Sequence, residues 1–141
     1  MSVPVGQRTE NTLEVLVRAD ELVAHTVKIM ANEKVFDPKY SALADRTLDT
    51  ALDVLTCLDE ANEICVRDDP AAWAERRALQ VHGCRALVKL RCLMRVCRTT
   101  YHMRRGKYEY WAKLARETLQ LARAWRDKDA KRYGRLSGPA G

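Results

Sequence analysis

Asp45, Asp49 and Asp53 recur at four-residue steps, with Glu60 and Glu63 following on the same segment. Carboxylates so spaced share one side of a helix, where they can hold a divalent cation or divide into a general acid and a general base. Neither chemistry is expected. No histidine or second acidic helix accompanies the run, and like charges at this spacing are common on solvated faces. His82 and Cys84 lie two apart, a separation that suits neither one helix face nor a known ligand pattern, and His25 and His102 are equally isolated. Cys57, Cys65, Cys84, Cys92 and Cys97 form an odd set with no Cys-x-x-Cys pair, which argues against both a disulfide framework and zinc and for reduced packing residues. The 6 glycines form no phosphate-cradling loop, and no Ser or Cys stands beside a histidine in a nucleophilic arrangement. The chain is therefore expected to be non-enzymatic, with no metal and no cofactor.

Charge is more informative. Between Glu75 and Glu109 there is no acidic side chain, while Arg76, Arg77, Arg85, Lys89, Arg91, Arg95, Arg98, Arg104, Arg105 and Lys107 all fall there. The net charge of +6 conceals this segregation: the first half of the chain is acidic and the second half strongly basic. Uncompensated cations on one helix create a field that attracts polyanions, unless an acidic surface nearby cancels it. Both outcomes remain open, because the cations could meet nucleic acid, the acidic stripe of the second helix, or a neighbouring subunit. Nothing suggests an RNA-recognition sheet, a base-reading helix-turn-helix or a stacking platform, so any nucleic acid would be held through its phosphates. Trp73, Trp111 and Trp125 are expected in the core.

These residues need elements to position them. At 141 residues the chain has the length of one domain, and hydrophobic periodicity gives four helices and no strand. The first spans about 10–31, with Leu13, Leu16, Val17, Val23, Ala24, Val27 and Met30 facing the core and Asp20 interrupting that face. Asp37-Pro38 and Ser41 start the second, which runs to about Ile64 with Ala44, Thr47, Leu48, Ala51, Leu55 and Leu58 inward. Asp69-Pro70 starts the third, which continues to about Met103. Its core face is Leu79, Gly83, Ala86, Leu90, Leu93, Cys97 and Tyr101, and Arg77, Arg91, Arg95, Arg98 and His102 lie nearly opposite. A second apolar line, Val81, Val88, Cys92 and Val96, is left over and reads as a subunit contact. Gly106 marks the last break, and the fourth helix spans about 107–133, burying Tyr108, Trp111, Leu114, Ala115, Thr118, Leu121, Ala122 and Trp125. Lys113, Arg116 and Arg123 lie on its other side and extend the basic surface. Residues 1–9 are expected to be a flexible N-terminus, 10–133 an all-α antiparallel four-helix bundle, and 134–141 a disordered tail. No apolar run reaches the length of a membrane span and the first ten residues lack a signal-peptide core, so a cytoplasmic protein is expected.

Several phrases carry a resemblance. His25-Thr-Val-Lys-Ile29 with Asn32-Glu-Lys34, then Asp45-Arg46, Asp49, Ala51-Leu-Asp53 and Glu60-Ala-Asn62, then Glu109-Tyr-Trp-Ala-Lys-Leu114, Arg123-Ala-Trp-Arg126 and Lys131-Arg-Tyr133 occur in order across residues 13–133. Together they resemble the accessory variability determinant (Avd) family of diversity-generating retroelements, which is similar to the four-helix proteins encoded in intervening sequences of bacterial 23S ribosomal RNA. The resemblance implies a four-helix bundle assembled as a pentameric ring. Its basic surface would bind the element's reverse transcriptase and its template RNA or cDNA, supporting mutagenic reverse transcription without catalysis of its own. On this reading the nucleic-acid contacts are Arg77, Arg85, Lys89, Arg91, Arg95, Arg98, Arg104, Arg105, Lys107, Lys113, Arg116 and Arg123. The alternative is an oligomeric interaction module of the intervening-sequence class whose basic helix is used between subunits.

Overall fold

The computed structural model describes residues 10–32 and 37–138, with side chains from Glu14 onward. Expectations for residues 1–9, for Leu13 and for 139–141 lie outside the described residues. The chain forms four long helices: α1 (Glu10–Met30), α2 (Ser41–Glu63), α3 (Pro70–Thr100) and α4 (Arg105–Tyr133), with no strand among the described residues. Short 3-10 turns at Pro38–Tyr40 and Gly134–Ser137 complete them.

The stops and starts follow local chemistry. Asp37 caps the first 3-10 turn by accepting from the Lys39 amide at 3.0 Å, and Asp69 caps α3 by accepting from the Ala71 amide at 3.0 Å, with Pro70 in the first turn. The last break differs from expectation: Gly106 lies inside α4, and the turn is made at Tyr101–Arg104. His102 takes the left-handed conformation at φ 50° and the Met103 amide donates to the Arg98 carbonyl at 3.1 Å. This is a Schellman-type stop with histidine where glycine is usual. The tail also differs, because Gly134–Ser137 is a turn packed on α3. Trp73 Nε1 donates to Ser137 Oγ at 3.1 Å, and Arg135 pairs with Asp68 at 2.6 Å.

Each helix packs against its neighbour in sequence, and α4 returns to α1. Trp73, Trp111 and Trp125 are all buried, as expected. In α3, Trp73, Arg76, Gln80, Gly83, Leu87, Leu90, Met94 and Cys97 are buried at alternating steps of three and four, the seam spacing of packed helices. The expected face was rotated from this one, leaving Leu79 and Leu93 half-buried, because Arg76 and Gln80 read as surface residues. The face of α1 is rotated too: Val15, Ala19, Leu22, Val23, Thr26 and Ile29 point inward, while Val17 and Val27 are 51% and 45% exposed. Asp20 simply faces solvent.

Buried polar groups tie the helices together. Trp111 Nε1 donates to Thr26 Oγ1 at 3.0 Å, and that hydroxyl donates to the Leu22 carbonyl at 2.7 Å. Arg76 was counted among the uncompensated cations, but its side chain is 7% exposed and pairs with Asp129 of α4 at 2.7 Å. It also donates to the Ile64 carbonyl and lies 5.2 Å over the Trp125 ring. A buried guanidinium is tolerable only with partners of this kind.

Candidate nucleic-acid interface

With α3 held in this phase by Arg76 and its seam, the remaining cations project outward. Arg77, Arg85, Lys89, Arg91, Arg95 and Arg98 are all exposed, and among the described residues none makes an ion pair within 4.0 Å. The Asp45, Asp49, Glu60 and Glu63 carboxylates of α2 are exposed and, among the described residues, make no ion pair within 4.0 Å either, although α2 and α3 share the most extensive contact between described elements. Among the described residues, no Lys or Arg of α3 is compensated by a carboxylate of α2 within 4.0 Å. Arg98 lies 4.7 Å over the Tyr108 ring, which orders its guanidinium without neutralising it.

The α4 cations are more mixed. Arg104 is exposed at the N-cap, Lys107 is half-buried, and Arg116 and Arg123 are exposed. Arg105 pairs with Glu109 at 2.8 Å, a contact that holds its proton more tightly, and Lys113 approaches Glu117 at 3.9 Å. No side chain caps α4, and its first turn carries cations where the helix dipole favours anions.

The second apolar line divides. Val88 and Val96 are 49% and 45% exposed and Cys92 is exposed beside them. Val81 instead lines a groove of about 860 Å³ between the first half of α3 and the Gly134–Ser137 turn, with Arg77, His82 and Arg85 on its walls.

One cluster was missed by the sequence reading. His82 Nε2 lies 3.1 Å from Asp53 Oδ2, and Cys57 Sγ lies 3.8 Å from Asp53 Oδ1. A histidine does therefore accompany the acidic run, reached from α3. Asp53 and Cys57 are four apart, a spacing that could have flagged half the cluster, but nothing local connects them to His82. Cys57 is not a poised nucleophile, since burial, Asp53 and Glu60 push its thiol up to about 11. His25, by contrast, packs edge-on against Tyr110 at 4.9 Å, with its pKa lowered by burial and by Lys28 and Lys107. No helix is long and apolar enough to cross a membrane among the described residues. No protein-family model, curated protein or solved structure matches the chain.

Proposed function

We propose that the chain is a non-enzymatic accessory protein that binds structured RNA or cDNA by phosphate contacts, in the manner its Avd resemblance implies, beside a reverse transcriptase partner. The observation that carries this is the row of exposed cations on α3, unpaired among the described residues. Phosphates satisfy such a row without base readout, and binding then weakens steeply with salt as counterions are no longer released to advantage. The uncapped, cationic start of α4 adds to the same field, since an anion there would relieve both the dipole and the like charges.

The proposed architecture is an antiparallel bundle acting as a homo-oligomer, with a pentameric ring as the resemblance has it. Antiparallel neighbours are supported by the pairs Thr26–Trp111, Thr47–Cys97 and Arg76–Asp129, each joining the end of one helix to the start of another. Exposed apolar side chains occur on α1 at Val17 and Val27 and on α3 at Val88 and Val96, helices that are not neighbours in the ring of contacts. Two different patches on separate sides suit a head-to-tail contact, the kind that closes rings.

A second reading has its own observation: the unpaired α2 carboxylates could meet the α3 cations of the next subunit. Titration of labelled structured RNA at low and high salt, with Arg91, Arg95 and Arg98 changed together to Glu, separates the two. Submicromolar, salt-sensitive binding lost in an oligomer of unchanged mass supports the RNA reading. Absence of wild-type binding at low salt, or an oligomer that falls apart on charge reversal, overturns it.

A further inference from the structure

We propose that Asp53, Cys57 and His82 form a zinc site that clips α2 to α3. The three donors come from two helices and all lie within 4.8 Å of one another. Around tetrahedral zinc, ligand atoms at about 2.0–2.3 Å from the metal stand roughly 3.3–3.8 Å apart. His82 lies 3.1 Å from Asp53 Oδ2 and Cys57 3.8 Å from Asp53 Oδ1. With one donor atom from each residue the set spans no more than 4.8 Å, so rotation of the Asp53 carboxylate and the two side chains must draw the donors together by up to about 1 Å around the metal. An imidazole, a thiol and a carboxylate are also the mixture that selects zinc over magnesium or calcium, which prefer oxygen alone.

The helices are built to meet here. Gly83, next to His82, is buried against α2, and a Cβ at that position would lie 2.8 Å from Leu58 Cδ2 and 3.6 Å from Cys57 Cβ. The missing side chain lets the backbones approach closely enough for His82 to reach across to Asp53 and Cys57 in the second half of α2. Asp53, Glu60 and their acidic neighbours on α2 give this side of the helix a negative potential, which attracts a dication. Binding balances simply: Zn²⁺ replaces the Cys57 thiol proton, which leaves to solvent, while Asp53 and neutral His82 bind without bond changes. Asp53 and His82 are exposed, so water can fill the fourth position. His82 also lines the α3 groove, together with Arg77 and Arg85.

The test uses the full chain, reduced and freed of metal, with zinc chloride titrated calorimetrically and Co²⁺ as a spectroscopic probe. Expected are one submicromolar equivalent per chain, a raised melting temperature, and a thiolate-to-cobalt charge-transfer band. Cys57→Ser should remove the band, and His82→Gln should weaken binding at least ~10-fold, while Cys65→Ser and His102→Asn change neither. His82→Gln alters an exposed side chain and so remains informative even if Cys57→Ser unfolds the protein. Absence of submicromolar zinc binding, or binding that survives both Cys57→Ser and His82→Gln, overturns the proposal.

Discussion

Replacing Asp129 with Ala is the sharpest test of how α3 is held. Its Oδ2 accepts from Arg76 Nε and from Gln80 Nε2, each at 2.7 Å, and the Arg76 and Asp129 side chains are both only 7% exposed. The substitution strands a buried guanidinium whose remaining partners are the Ile64 carbonyl and the Trp125 face. Breaking a buried pair from one side costs about 3–5 kcal/mol, a large share of the 5–15 kcal/mol or so that holds a domain together. With a urea slope of about 2 kcal/mol per molar, the unfolding midpoint should fall by about 2 M. Removing both charges together, with Arg76→Met and Asp129→Leu, should recover part of the loss, since no charge is then left unpaired, while the buried Gln80 amide that loses its acceptor still costs about 1–3 kcal/mol. Glu109→Gln breaks only an exposed pair and should leave the midpoint where it was. A loss below about 1 kcal/mol in Asp129→Ala, or a double variant no better than the single one, would refute the view that this pair anchors α3.

Alkaline pH should destabilise the fold. Burial raises the Cys57 thiol from 9.0 to about 11 and raises Cys84 and Cys97 as well. Each favours the folded state while the thiol is neutral in both states, so the contribution is full below pH 9.0 and is lost as pH climbs through about 11. Urea midpoints flat to pH 9.0 and falling above it are the expected result, and thiol titration should label exposed Cys92 before Cys57, Cys84 or Cys97. Gly83→Ala should cost about 1 kcal/mol net, because overpacking of about 1–3 kcal/mol outweighs a helix-propensity gain of about 1 kcal/mol. Thermal unfolding measures it, and a stabilised variant would show that Leu58 yields to the added methyl at no cost.

How much could be read from the chain depended on the size of the side chains that mark each face. In α4 the large anchors Trp111, Leu114 and Trp125 sit on one side, so most of its buried line was legible in the sequence, with half-buried Leu121 read in place of buried Leu119 and with Asp129 missed. In α1 the true face contains Ala19 and Thr26, which carry little hydrophobic signal, and exposed Val17 and Val27 drew the expected face toward solvent. In α3 the buried seam runs through Arg76, Gln80 and Gly83. These became core residues only because Asp129, fifty-three positions away, supplies a counter-charge and Leu58 fills the space over the glycine. The exposure of the cationic stripe, in contrast, was legible because it needed no partner. The Asp53–His82 contact spans twenty-nine positions and a turn, so no spacing rule reaches it.

The arrangement of charge and apolar surface separates two assemblies by their response to salt. Exposed Val88, Cys92 and Val96 lie on the same helix as Arg91, Arg95 and Arg98, so an oligomer built on the valines would hold the cations at its edge without consuming them. Salt would then release bound nucleic acid, by loss of counterion entropy, and leave the apolar seam intact or tighter. An oligomer built on α2 carboxylates against α3 cations would instead lose mass as salt rises, because the attraction between exposed charges weakens with ionic strength. A salt series followed by light scattering and by RNA anisotropy on one sample therefore distinguishes them: RNA lost with constant mass places the cations at the free edge, whereas mass lost first places them inside the interface.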